Sequence, residues 1–86
     1  MTTHDAGDIV LTTMGNQIRF YEKESQRHVA TWRGESDALI YHPMDADSVM
    51  VGLISPQNLV SQATLNHIRG LVYEDRVRHY RNMLAK

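Results

Sequence analysis

One dipeptide divides this chain into two incompatible patterns. Up to Ser55-Pro56 the sequence is a series of short β-branched and aromatic runs separated by turn residues. From there to Leu84 no further proline occurs and the composition suits a helix. Serine at an N-cap followed by proline at the first helical position is a strong helix start. Strands first and one helical stretch afterwards predict an α+β domain: an antiparallel sheet of four or five strands followed by a C-terminal helix. At 86 residues the chain makes one small domain. We divide it into a flexible tail (1–7), a sheet region (8–54) and a C-terminal helical region (55–84).

Within the sheet region, DIVLTTM (8–14) and QIRFYEK (17–23) flank Gly15-Asn16, a two-residue hairpin signal. Pairing across that turn puts Ile9, Leu11, Ile18 and Phe20 on one face. Val10, Thr12, Arg19 and Tyr21 take the other. RHVATWR (27–33) reads as a third strand, stopped by Gly34. ALIYH (38–42) and SVMVGLI (48–54) read as two more; a short helix over 36–42 is disfavoured by its β-branched and aromatic content. The run SVMVGLI is apolar at almost every position, which predicts a central strand covered on both faces. The core face is expected to use Ile9, Leu11, Ile18, Phe20 and one of Val51 or Leu53.

The helical region carries two apolar stripes. At 100° per residue from Leu65, Val60, Thr64, Ile68, Leu71 and Val72 centre at about 270°. Tyr73, Val77, Tyr80 and Leu84 centre at about 90°. The stripes exchange just after Gly70. Either the helix breaks or bends there, or it runs straight and serves two surfaces. The second stripe is thus a dimer or partner surface, with buried intramolecular core as the plainer alternative. A single cysteine-free core of this size is only marginally stable, so a homodimer is expected, with Val77 and Tyr80 at the subunit boundary and Arg76, Arg78 and Arg81 on its rim.

Composition removes several classes of function. With no cysteine there is no disulfide framework, thiolate zinc site or cysteine nucleophile; this fits a reducing, cytoplasmic setting. No apolar run approaches membrane-spanning length, and MTTHDAGD lacks the basic and apolar regions of a secretory signal. His42 with Asp45 and Asp47 invites a metal, but the calcium-loop pattern fails, with Met50 in the glycine position and Pro56 in the glutamate position. The mobile set His4, Asp5 and Asp8 is no stronger. No phosphate loop, dinucleotide fingerprint or zinc-protease motif occurs, and the nucleophile-elbow echo at Gly34–Ala38 needs a larger fold. The expectation is a protein with no metal, no cofactor and no enzymatic activity.

Charge is nearly balanced, 9 Lys+Arg against 10 Asp+Glu, but uneven along the chain. No Lys or Arg lies between Arg33 and Arg69, whereas Glu35, Asp37, Asp45 and Asp47 do. These four are candidate partner-binding residues, because carboxylates on turns pair with a target's arginines. At the other end Arg76, Arg78, Arg81 and Lys86, with Tyr73 and Tyr80, are candidates for nucleic-acid contact. Glu74 and Asp75 oppose that, since they would stand at the start of a recognition helix. The leading expectation is a small protein-binding module, a stoichiometric inhibitor or adaptor of the kind common among bacteriophage and mobile-element proteins. A small nucleic-acid-binding regulator is the alternative.

Overall fold

Leu11 opposite Phe20, and Thr13 opposite Ile18, set the register of the first expected hairpin. It joins β2 (Ile9–Met14) to β3 (Gln17–Glu22) through Gly15-Asn16. Gly15 takes φ +62°, the left-handed conformation that glycine adopts without penalty in such turns. The computed structural model describes residues 2–85. Four further strands complete one antiparallel sheet: β1 (Thr2–Asp5), β4 (His28–Arg33), β5 (Ala38–Tyr41) and β6 (Val49–Leu53). Their order across the sheet is β1-β2-β3-β4-β5-β6, a pure meander. A 3-10 turn (Pro56–Asn58) and one helix, α1 (Gln62–Leu84), follow.

The α+β class and the antiparallel sheet agree with the sequence reading; the strand count is six. Three local expectations change. Thr2–Asp5, expected within a flexible tail, pairs with β2 as an edge strand; Met1 lies outside the described residues. SVMVGLI supplies the opposite edge strand instead of a central one, and Val49, Met50 and Leu53 are exposed. Val51, at the bulge where Leu39 pairs with Gly52 and Ile40 with Met50, and Ile54 are the residues of that run packed on the core. Ser55-Pro56 opens the 3-10 turn, and α1 is capped by Ser61, whose hydroxyl accepts from Thr64 N–H at 3.3 Å.

One face of the sheet is covered. Ile9, Leu11, Phe20, Val29, Ala30, Trp32, Leu39 and Tyr41 meet Leu59, Leu65, Ile68 and Val72 in a single core. Val29 and Ala30 are both inside because the β3–β4 ladder slips there: Phe20 pairs with Ala30 but Tyr21 with His28. Trp32 donates its indole N–H to Ile54 C=O at 2.8 Å, tying the end of β6 to the core. The molecule measures 42 × 25 × 22 Å. A 23-residue helix is about 34 Å long, so α1 outruns the sheet beneath it. It passes Gly70 without a break.

Candidate functional site

α1 is fastened to the sheet at three points. Near its middle, Arg69 holds the Asp8 carboxylate at 3.0 Å. Further along, Arg76 pairs with Glu22 at the end of β3. Between them Asp75, 2% exposed, reaches into the sheet. It accepts from Arg27 at 2.9 Å, from the Tyr41 hydroxyl at 2.9 Å and from Met44 N–H at 3.2 Å. Burial, followed by the bond to Asp75, pushes the Tyr41 phenol up to about 12. A cleft where α1 crosses the sheet end is lined by Asp8, Glu22, Val72, Tyr73, Arg69 and Arg76. Its charges are already paired with one another.

Sequence reasoning missed Asp75, taking it only as a charge unsuited to DNA. The signal was present: at 100° per residue it falls at about 280°, squarely on the sheet-facing stripe. An acid at that phase must either unwind the helix or find cations and donors beneath it.

Asp75 is also the last residue of α1 to be buried. The second stripe, which starts at Tyr73 and runs past Asp75 to the helix end, faces away from the core. Tyr73 is 70% exposed, Tyr80 66% and Leu84 75%, with Val77 half-buried. The straight-helix alternative therefore holds, and burial of this stripe within its own chain does not. Arg76, Val77, Tyr80, Arg81 and Leu84 line an apolar groove along it. Of the basic candidates, Arg76 is held by Glu22, and Arg78 stands 3.9 Å from Asp75. Arg81 is exposed, and Lys86 lies outside the described residues.

The four acidic candidates do not form one surface. Glu35 and Asp37 sit in the β4–β5 turn, Asp45 and Asp47 in the β5–β6 loop, so the two pairs lie at opposite ends of β5. Asp37 adopts a left-handed φ of 57° and its C=O accepts from Ile54 N–H at 2.8 Å. Asp45 contacts His79 of α1 at 2.8 Å, bracing the loop against the helix.

The sheet face away from α1 holds a polar chain that parity alone did not suggest. Thr31 Oγ1 lies 2.8 Å from His28 Nε2 and 2.7 Å from His42 Nε2; His42 Nδ1 lies 2.7 Å from Ser48 Oγ. The two imidazoles touch in a tilted arrangement, with centroids 4.6 Å apart and planes 53° from parallel. Burial lowers both imidazole pKa values, helped by the adjacent His42 ring for His28 and by Arg27 for His42. With both rings neutral, the one Thr31 proton goes to one histidine while the other histidine donates back. A serine against a histidine is half of a nucleophilic arrangement. Acyl transfer also needs oxyanion donors and a recess, whereas Ser48 is on an exposed loop and the clefts described above lie along α1.

Among the described residues no three histidines or carboxylates converge on a point that would hold a metal ion, and no helix is long and apolar enough to cross a membrane. Comparison with protein-family models, with curated proteins and with solved structures finds no match to this chain.

Proposed function

We propose that this chain is a small non-enzymatic protein-binding module, an inhibitor or adaptor, whose principal contact surface is the outward face of α1. The observation that carries the reading is the exposed stripe Tyr73, Val77, Tyr80 and Leu84 on a helix that outruns its sheet. Tyrosines and arginines around an apolar centre are the side chains that concentrate binding energy at protein interfaces. Leaving them in water would be an unrewarded cost in so small a fold. The acidic turns Glu35–Asp37 and Asp45–Asp47 are two further, separate contact points, suited to a target that offers arginines. A cysteine-free chain of this kind fits a cytoplasmic setting.

The nucleic-acid alternative draws on Arg78 and Arg81, exposed beside the tyrosines. Binding to generic duplex DNA across a salt series separates the two. Contacts to phosphates weaken steeply with salt; the protein-binding reading predicts negligible binding at every salt. Capture from a native lysate by the wild type, compared with Val77→Asp, tests the stripe itself. Equal recovery of every captured protein would remove the stripe from the contact.

A further inference from the structure

The outward face of α1 repeats more regularly than its tyrosines alone. Ala63, Asn66, Gly70, Tyr73, Val77, Tyr80 and Leu84 follow one another at intervals of three and four, the period of a seam between two helices. Six of the seven are exposed and Val77 is half-buried. The opposite face, with Thr64, Leu65, Ile68, Val72 and Asp75, is buried on the sheet. The seam is graded: its smallest residues, Ala63 and Gly70, lie in the first half and its bulkiest, Tyr73, Tyr80 and Leu84, in the second.

Gly70 is the telling position. Glycine inside a helix weakens it relative to alanine, and this chain does not need one there. A Cβ at Gly70 would meet nothing within 4 Å. The space above it is open to another molecule.

Resting on the reading of this face as a contact surface, we infer that its occupant is α1 of a second copy, packed antiparallel across a two-fold axis, with Gly70 of each helix against Tyr73 of the other. The same register sets Ala63 against Tyr80, again small against large, and Asn66 against Val77, two side chains of middling size, so the helices keep one spacing. Leu84 reaches the start of the other helix, where Val60 is half exposed. A parallel pair would put tyrosine on tyrosine at one end and glycine on glycine at the other, splaying the helices.

Like charge disfavours the neighbouring register. In the antiparallel arrangement above, His67 flanks Glu74 of the other copy. Shifting by one heptad brings Glu74 against Glu74 and Tyr73 against Val77. Arg69 and Arg76 approach each other across the seam, but Asp8 and Glu22 of their own chains already hold them. Aromatic side chains bury about 150–250 Å² each. Covering the exposed two-thirds of four tyrosines removes on the order of 400–650 Å² from water. Leu84, Val77 and the small residues opposite carry the total toward the roughly 1,000 Å² that a specific interface needs. The assembly has its helices inside and a sheet on either outer side, and it leaves the acidic turns as the remaining candidates for a target.

The chain has no cysteine, so introduced thiols are the only ones present. Ala63 and Tyr80 are about 25 Å apart along one helix, beyond the reach of a disulfide within a chain. Full-length Ala63→Cys and Tyr80→Cys are oxidised mildly, separately and mixed, and wild-type mass is measured by light scattering at high micromolar concentration. The expected results are a mass of about twice 9.9 kDa and disulfides that form when the variants are mixed. Gly70→Leu should shift the mass to one chain without lowering the melting temperature of that monomer. A dimer that links 63 to 63 and 80 to 80, or neither pair, overturns the antiparallel seam. A wild-type mass near one chain overturns the second copy. A photo-crosslinker at Tyr73, irradiated in lysate, then separates the two readings: an adduct with another protein leaves the contact face standing, and no adduct overturns that as well.

Discussion

Removing the Asp75 carboxylate should come close to unfolding this protein. Asp75 is 2% exposed and accepts from Arg27, Tyr41 and Met44 at 2.9 to 3.2 Å. Asp75→Ala deletes the acceptor and leaves a part-buried guanidinium, a buried phenol and a backbone N–H facing a void. Breaking a buried ion pair from one side costs about 3–5 kcal/mol. Each neutral donor left unsatisfied adds up to about 1–3 kcal/mol, less whatever water can enter to repair. A single core of this size supplies only about 3–5 kcal/mol in all, so the variant should be largely unfolded at 25 °C. Asp75→Asn keeps a carbonyl oxygen for Tyr41 or Met44 but loses the charge opposite Arg27. It should cost about 1.5–3 kcal/mol, the range for a hydrogen bond to a charged group. Urea titrations followed by circular dichroism measure both, at one fixed protein concentration because self-association adds to apparent stability. The double variant Arg27→Met/Asp75→Leu should be less damaging than Asp75→Leu alone, since no charge is stranded. If Asp75→Ala unfolds within about 1 kcal/mol of wild type, the anchor argument is wrong.

Three further outcomes are expected. His28 and His42 have folded pKa values held below 6.5, mainly by burial. The unfolded chain therefore takes up protons first, and stability should be full above about pH 6.5 and drain as pH falls through the lowered folded values; urea midpoints between pH 7.5 and 5 measure it, and a flat wild-type curve, or one that His28→Gln/His42→Gln leaves equally steep, would contradict it. Tyr41 behaves oppositely: with its phenol at about 12 in the fold against 10.0 unperturbed, stability should fall as pH rises above about 10, and ultraviolet titration should show a step near 12 that Tyr41→Phe removes. Neutralising Glu35 and Asp37, or separately Asp45 and Asp47, to the amides should weaken binding of an identified target while leaving the circular dichroism spectrum unchanged; unaltered affinity in both variants would exclude the acidic turns.

Legibility in the sequence followed the strength of the local signal. The β2–β3 hairpin was readable because Gly15-Asn16 allows one register and alternation then settles each face. β1 was not, because an edge strand wet on both sides shows no alternation: Thr2, Thr3, His4 and Asp5 are all exposed. The run at β6 misled for the reverse reason. Continuous apolarity reports burial only when another element lies outside the strand, and β6 is at the sheet's edge. For α1, helical phase separated the sheet-facing stripe from the outward one, and the same arithmetic covers Asp75 once polar residues are included. The separation of the four acids could not be read along the chain. It depends on β5 being a strand, which carries the turns before and after it to opposite ends of the sheet.

The meander has a consequence in time. Every strand pairs with its sequence neighbour, so each ladder can form by closing a short loop, at little entropic cost and early in folding. α1 is different: its clasp on the sheet joins Arg69 to Asp8, 61 positions apart. A chain zippering from hairpin to hairpin therefore reaches a nearly complete sheet whose greasy side is still bare. Docking of α1 is then the event that converts a sticky intermediate into the native protein. The moments before it are when the chain is most prone to aggregate.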